Sequence, residues 1–205
     1  MLGTAAKRKR KMPAITLESL MTLEAYSKVR KEFRSNVMAH KKVRTVGLGN
    51  HVTLLFEDEM TMRYQIQEML RAERIFEEAG IQDELDAYNP LIPDGSNWKA
   101  TMMIEYPDPA QRAEMLKQLK GVEGRVYVQV QDCARVYAIA DEDLARENEE
   151  KTSSVHFLRF ELSSEMTQSV KHGAAISVGV EHQAYMAQTG PLPHSIRGSL
   201  AADLA

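Results

Sequence analysis

The feature that most constrains this chain is an alternation in its last third, where short β-rich runs give way repeatedly to capped helices that end on glycine. Lys99 to Tyr106 reads as a strand. Asp108-Pro109 then supplies an N-cap and an N1 proline, and Gly121 closes the helix. Val126 to Val130 and Arg135 to Ala140 read as strands about a turn at Gln131 to Ala134. Asp141 caps a short acidic helix running to about Glu150. Val155 to Leu162 is a strand, Ser163 caps a helix that Gly173 ends, and Ala174 to Val180 is the final strand. Two segments echo each other. Ile104-Glu105-Tyr106, a helix ending Lys120-Gly121 and Val126-Tyr127-Val128 parallel Phe160-Glu161-Leu162, a helix ending His172-Gly173 and Ile176-Ser177-Val178. The expectation is an α+β fold with a mixed sheet, helices mainly on one side and ferredoxin-like βαβ units.

The N-terminal half is expected to hold helices and a small antiparallel meander. Thr16 is a good N-cap, and apolar residues recur through two helices, 17–22 and 23–38. Between Lys42 and Tyr64 the rhythm changes. Gly49-Asn50 signals a turn, Val52 to Phe56 is β-branched and apolar, and Met60 to Tyr64 reads as the returning strand after an acidic turn at Glu57-Asp58-Glu59. A helix over 65–79 is expected to end at Gly80. A second, 82–88, stops before Asn89-Pro90 because the residue preceding proline disfavours the helical region. These readings place one α+β domain at 13–188, a disordered basic tail at 1–12 and a second disordered tail at 189–205.

Composition excludes several function classes. The chain has 205 residues, a formal charge of −3 and one cysteine, Cys133. One thiol cannot build a disulfide framework, a thiolate zinc site or an iron–sulfur cluster. No run approaches the ~18 consecutive apolar residues of a membrane span. Lys7 to Lys11 is a block of five cations, but no apolar signal region follows it, so the cytoplasm is the expected compartment. With an acidic balance in the remainder, nucleic acid is not an expected partner.

Three constellations could carry chemistry. In Val155 to Leu162, alternation sets His156 with Leu158, Phe160 and Leu162 on one face, and Arg159 with Glu161 on the other. A histidine in an apolar row is more often a hydrogen-bonded core residue than a ligand. His182 continues the Ile176, Val178, Val180 row. If their strands were neighbours, His156, His182 and a carboxylate such as Glu161 would make a 2-His-1-carboxylate site suited to iron or manganese, with Arg159 beside it. The second constellation is cationic: His40, Lys42, Arg71 and Arg74 would suit an anion or small ligand, although cations also simply suit helix C-termini. Third, Glu68, Arg71, Arg74 and Glu78 read best as a solvated face of paired charges.

Longer stretches carry a resemblance. They include Ala39-His40-Lys41-Lys42, Leu54-Leu55-Phe56-Glu57-Asp58, Tyr64 to Arg71, Glu73 to Ile81 and Leu85 to Gly95. Ile104 to Asp108, Tyr137 to Asp143, Glu149 to Ser153, Val155 to Leu162 and Val178-Gly179-Val180-Glu181-His182 complete them. Together, over about residues 13–186, they resemble the bacterial family known as domain of unknown function 3501. Gln183 departs from that pattern, since proline usually follows the final histidine. The resemblance implies no catalytic residue and no cofactor. It does imply a gene neighbourhood shared with rubrerythrin-like proteins and iron–sulfur reductase-type proteins. The leading expectation is therefore an accessory or interaction protein of an iron-dependent redox or peroxide-defence system. The alternatives are a metal-binding enzyme using a His/carboxylate site, and an anion or small-ligand module.

Overall fold

The computed structural model describes residues 14–142 and 151–205. The basic tail expected at 1–12, and the acidic helix expected between Asp141 and Glu150, lie outside the described residues apart from Asp141 and Glu142.

Local chemistry explains each element of the N-terminal half. Thr22 accepts the Ala25 amide and starts α1 (Leu23–Lys42), which closes with His40, Lys41 and Lys42 beside the negative end of the helix dipole. The hairpin β1 (Thr45–Leu48) and β2 (Val52–Phe56) follows as expected. The return strand at Met60 to Tyr64 does not form. The Asp58 side chain accepts the Thr61 amide while the Thr61 hydroxyl accepts the Asp58 amide, so the acidic run begins α2 (Glu59–Glu73) instead of turning. The meander's third strand is β3 (Asn97–Ile104), which pairs with β2 after two helices have intervened. Helix α2 also ends earlier than expected. Arg74 takes up the left-handed conformation, with φ 56°, and α3 (Glu78–Tyr88) starts with Gly80 in its first turn. That break turns Ile75 back toward a small apolar cluster of Ile15, Met62, Ile66, Leu70, Leu85 and Ile92.

The last third supplies α4 (Pro109–Gln118), β4 (Val126–Val130), β5 (Arg135–Tyr137), β6 (Ile139–Ala140) and β7 (Val155–Glu161). It continues with α5 (Ser164–Lys171), β8 (Ile176–His182) and β9 (Tyr185–Gln188). The α+β class holds. The mixed sheet and ferredoxin-like units do not: the strands form two sheets, β1-β2-β3-β7-β6 and β5-β4-β8-β9, and every pairing is antiparallel. The reason is that neither strand–helix–strand unit returns to its own sheet. β3 leads through α4 to β4, and β7 leads through α5 to β8, so each helix carries the chain from the first sheet to the second. β3 lies antiparallel to β7, and β4 to β8. The two echoing segments are thus arches that run antiparallel to one another in both sheets, with Gly121 and Gly173 both at positive φ where the helices stop.

The two sheets share one core. Leu48, Leu54, Phe56, Trp98, Met102 and Phe160 face Val126, Val128, Val130, Ile176, Val178 and Val180. Helix α4 adds Leu116 to it, and Leu119 follows just beyond that helix, while α5 adds Val170. On one side the chain itself crosses between sheets at Tyr137 to Ile139. On the other, the Tyr185 hydroxyl donates to the Leu48 carbonyl at 2.6 Å and accepts the His51 amide at 3.0 Å.

Residues 189–205 are not a tail. They include α6 (His194–Ala202), and Leu192, Leu200 and Leu204 are buried in the main core with Ile196 packed against it. Those four residues recur every fourth position, which is a helical stripe. Small neighbours allow close approach, and the Trp98 indole donates to the Leu200 carbonyl at 2.9 Å.

Candidate functional site

Two buried polar clusters stand out, and neither is a constellation that spacing suggested. The first surrounds Arg44, whose residue is only 1% exposed. Its Nε donates to the Phe56 carbonyl at 2.8 Å. One terminal nitrogen meets the Ser199 hydroxyl at 2.9 Å, and the other meets the Glu57 carbonyl at 3.1 Å and Asp203 Oδ2 at 2.5 Å. Asp58 Oδ2 lies 3.4 Å from Arg44 and 2.5 Å from His40 Nε2. One guanidinium therefore ties the end of β2, the start of α2 and the C-terminal segment together. Arginine is suited to this because its charge is permanent and its planar donors can be met one by one. Burial pushes the Asp203 carboxyl up to about 6, against the pull of Arg44. Burial also raises Glu57, whose Oε1 accepts the Thr101 hydroxyl at 2.6 Å while Oε2 lacks a hydrogen-bond partner among the described residues.

The second cluster surrounds His156, fully buried on β7. Its Nδ1 lies 2.5 Å from Asp141 Oδ2, and the other Asp141 oxygen accepts the Phe157 amide at 2.9 Å. Its Nε2 is 3.0 Å from both the Thr152 hydroxyl and the Ser153 carbonyl, and 3.9 Å from Glu123 Oε2. Asp141 holds a left-handed backbone, φ 49°. An imidazole oriented by a carboxylate is the core of a general-base pair. Here, however, both ring nitrogens already face groups of the same chain.

The expected metal trio does not assemble. His156 lies in the first sheet and His182 in the second, on strands that do not pair. His182 Nε2 donates to the Lys120 carbonyl at 3.0 Å while Nδ1 accepts the Ala184 amide at 3.2 Å, so this ring fastens the end of β8 to the end of α4. Glu161 lies on the opposite face of β7 from His156, bonded to Asn97 at 2.9 Å and ion-paired with Arg159, which is also chelated by Glu142. The Arg159 guanidinium holds the Glu142 carboxyl below its ordinary range. Of the four residues only Arg159 and Glu161 meet. Among the described residues no group of three or more His, Cys, Asp or Glu side chains is placed to hold a metal ion.

The expected anion set is likewise dispersed. His40 is committed to Asp58 at the Arg44 cluster, and Lys42 lies on the outward side of α1. Arg71 and Arg74 are exposed at the far end of α2. Between α1 and α2 the organising acid is Glu68. It takes Arg30 in a two-point pair at 2.7 and 2.6 Å and the buried Tyr26 hydroxyl at 2.6 Å. The Arg30 hydrogen bonds hold its carboxyl down at about 2.

Arg44, Asp58, Asp141 and Asp203 were not foreseen as site residues. A signal existed for Arg44, because Arg44, Val46 and Leu48 alternate onto the core face of β1. Another existed for Asp203, which lies three positions after Leu200 and next to Leu204, on the buried side of the C-terminal segment. No spacing marks Asp141.

A family model described as "Protein of unknown function (DUF3501)" matches residues 14–204. The chain belongs to the DUF3501 family. It is similar to a novel protein of unknown function from Burkholderia pseudomallei K96243, known from a 1.90 Å crystal structure. The two share 55% identity and a TM-score of 0.90, over 94% of this chain and 100% of that one. No curated protein matches the chain. The two-sheet architecture is thus shared with that relative, and no described helix of this DUF3501 protein is long and apolar enough to cross a membrane.

Proposed function

We propose that this protein is a cytoplasmic accessory component of an iron-dependent redox or peroxide-defence system, working by contact with rubrerythrin-like and iron–sulfur reductase-type proteins. The partner classes rest on the gene neighbourhood that the family resemblance implies. The observation that supports a contact role is the engagement of the two core histidines. Every ring nitrogen of His156 and His182 faces a group of its own chain within 3.2 Å. Imidazoles held in this way fix strand ends and helix ends. A metal or substrate using them would first have to displace buried hydrogen bonds, each worth ~1 kcal/mol and costlier when left unmade.

The test is purification of the full chain from native cells, with subunit stoichiometry and metal content measured together. The expected result is near-stoichiometric recovery of a rubrerythrin-like or iron–sulfur partner, with metal residing in the partner. Stoichiometric iron or manganese in the isolated chain, lost in His156→Ala, would overturn the reading.

A further inference from the structure

Helix α1 presents to solvent a shallow groove lined by Lys31, Arg34, Ser35, Met38, Ala39 and Lys42. Lys28, Lys31, Ser35, Met38 and Lys42 follow one another at intervals of three and four residues. That is the spacing of a seam along which one helix packs on another. The other side of α1 is already engaged: Tyr26 and Val37 are buried, and Arg30 grips Glu68 of α2. The middle of the seam is small or weakly apolar, at Ser35, Met38 and Ala39, which lets a second helix come close. Its rim is mostly cationic: Glu32 is the exposed acid beside it, and Glu24 lies one turn before Lys28. Lys28, Lys31 and Lys42 make no ion pair among the described residues, and Arg34 donates only to a neutral group, the Tyr64 hydroxyl, at 2.7 Å. These unpaired cations sit on a chain whose formal charge is −3.

We infer that this seam docks an acidic amphipathic helix of a partner protein. The inference rests on the contact role proposed above and deepens it by naming the docking face and the partner's chemistry. Charge selects the occupant. An antiparallel second copy centred on the groove would set Lys31 against Lys42, and duplex nucleic acid demands a broader basic face than an acidic chain provides. Carboxylates flanking an apolar stripe would complement the rim, while the stripe itself covers Met38 and Ala39.

The probe is a fluorescent synthetic helix with Leu at a and d and Glu at e and g, titrated against the full chain. The Lys31→Glu/Lys42→Glu variant is expected to bind it about tenfold or more weakly, and to recover when the peptide's Glu residues are exchanged for Lys. A cooperative thermal melt shows that the variant folds; a drop of a few degrees is expected, because Lys42 faces the negative end of the α1 dipole. Unchanged affinity, no saturable binding, or tighter binding of duplex DNA through the same two lysines would overturn the inference. Native-cell co-purification with the same variant separates the two ideas. A complex that survives the double substitution sinks the seam and leaves the accessory role standing. Absence of any complex with the unsubstituted chain sinks the accessory role, while the peptide titration still decides the seam.

Discussion

Arg44 and His156 are both buried nitrogen-bearing side chains beside carboxylates, yet they organise the molecule on different scales. The hydrogen bonds of Arg44 reach residues 12, 13, 155 and 159 positions away, so a single side chain joins the first hairpin to the end of the chain. His156 takes its hydrogen-bond partners from 3, 4 and 15 positions away and ties Asp141, Thr152 and Ser153 to the start of β7. The chemistry differs as well. Arginine cannot shed its charge, so every donor must be met wherever it is buried. Histidine can change its proton pattern: Nε2 either donates to the Ser153 carbonyl or accepts the Thr152 hydroxyl. Long-range burial of polar groups here goes with a permanent charge, and local burial with a ring whose donor and acceptor roles can exchange.

The comparison breaks most readily at Arg44. Arg44→Met removes the cation and leaves Asp203 and Asp58 without it, and breaking a buried pair costs about 3–5 kcal/mol. Chemical denaturation should show a loss of that size. Amide exchange should speed up selectively at Leu200 and Leu204, and uniform exchange across both sheets would refute the tie to the C-terminal helix. His156→Gln should cost less, about 1–3 kcal/mol, because only local groups lose a partner. Exchange should quicken around Thr152 to Phe157 and not in α6. Equal losses in the two variants would erase the distinction between long-range and local ties.

Acid titration sharpens the same contrast through two carboxyls of opposite sign. Glu68 is lowered from 4.5 to about 2, so its contribution to stability is complete above pH 4.5 and disappears as pH falls toward 2. Glu68→Gln should flatten that limb of the stability curve by about 2 kcal/mol, a figure reduced for its partial exposure. Asp203 is raised from 3.8 to about 6. Its proton therefore favours the folded state: the contribution is present below pH 3.8 and is lost as pH rises through 6. NMR titration of the Asp203 carboxyl should find its midpoint well above that of an exposed aspartate; an ordinary midpoint would remove burial as the dominant influence at the Arg44 cluster. The smallest effect belongs to Lys31→Glu/Lys42→Glu. Both side chains are exposed, so stability should fall by only about 1 kcal/mol, the cost of an acid where Lys42 met the negative end of the α1 dipole, while docking weakens.

Much of the fold was legible because its signals are local. The caps at Asp108 and Ser163, the stops at Gly121 and Gly173, and the alternation that buries His156 with Leu158 and Phe160 each depend on a few neighbouring residues. Misreadings arose where two local signals competed. Glu57-Asp58-Glu59 serves equally as a turn or a helix start, and the reciprocal Asp58–Thr61 bonds decide for the helix. The C-terminal residues looked irregular because glycine, proline and alanine hid the stripe of Leu192, Ile196, Leu200 and Leu204. The candidate sites were less legible, because convergence of side chains is not a property of spacing. Arg159 and Glu161, two residues apart on one strand, share a face and do meet. His156 and His182 needed neighbouring strands, and the arches carry them to different sheets.

What the sequence determined by itself is most of the elements, with the exceptions of the helix at Glu59 and the C-terminal helix: caps, helix stops and two-residue alternation act over a few bonds, and no distant contact is needed to produce them. Tertiary structure alone decided the partners. Only docking of the C-terminal helix brings Asp203 to Arg44, and only the crossing of α4 and α5 between sheets makes both sheets antiparallel. Such contacts depend on how faces fit across the whole chain, which short-range patterns do not encode.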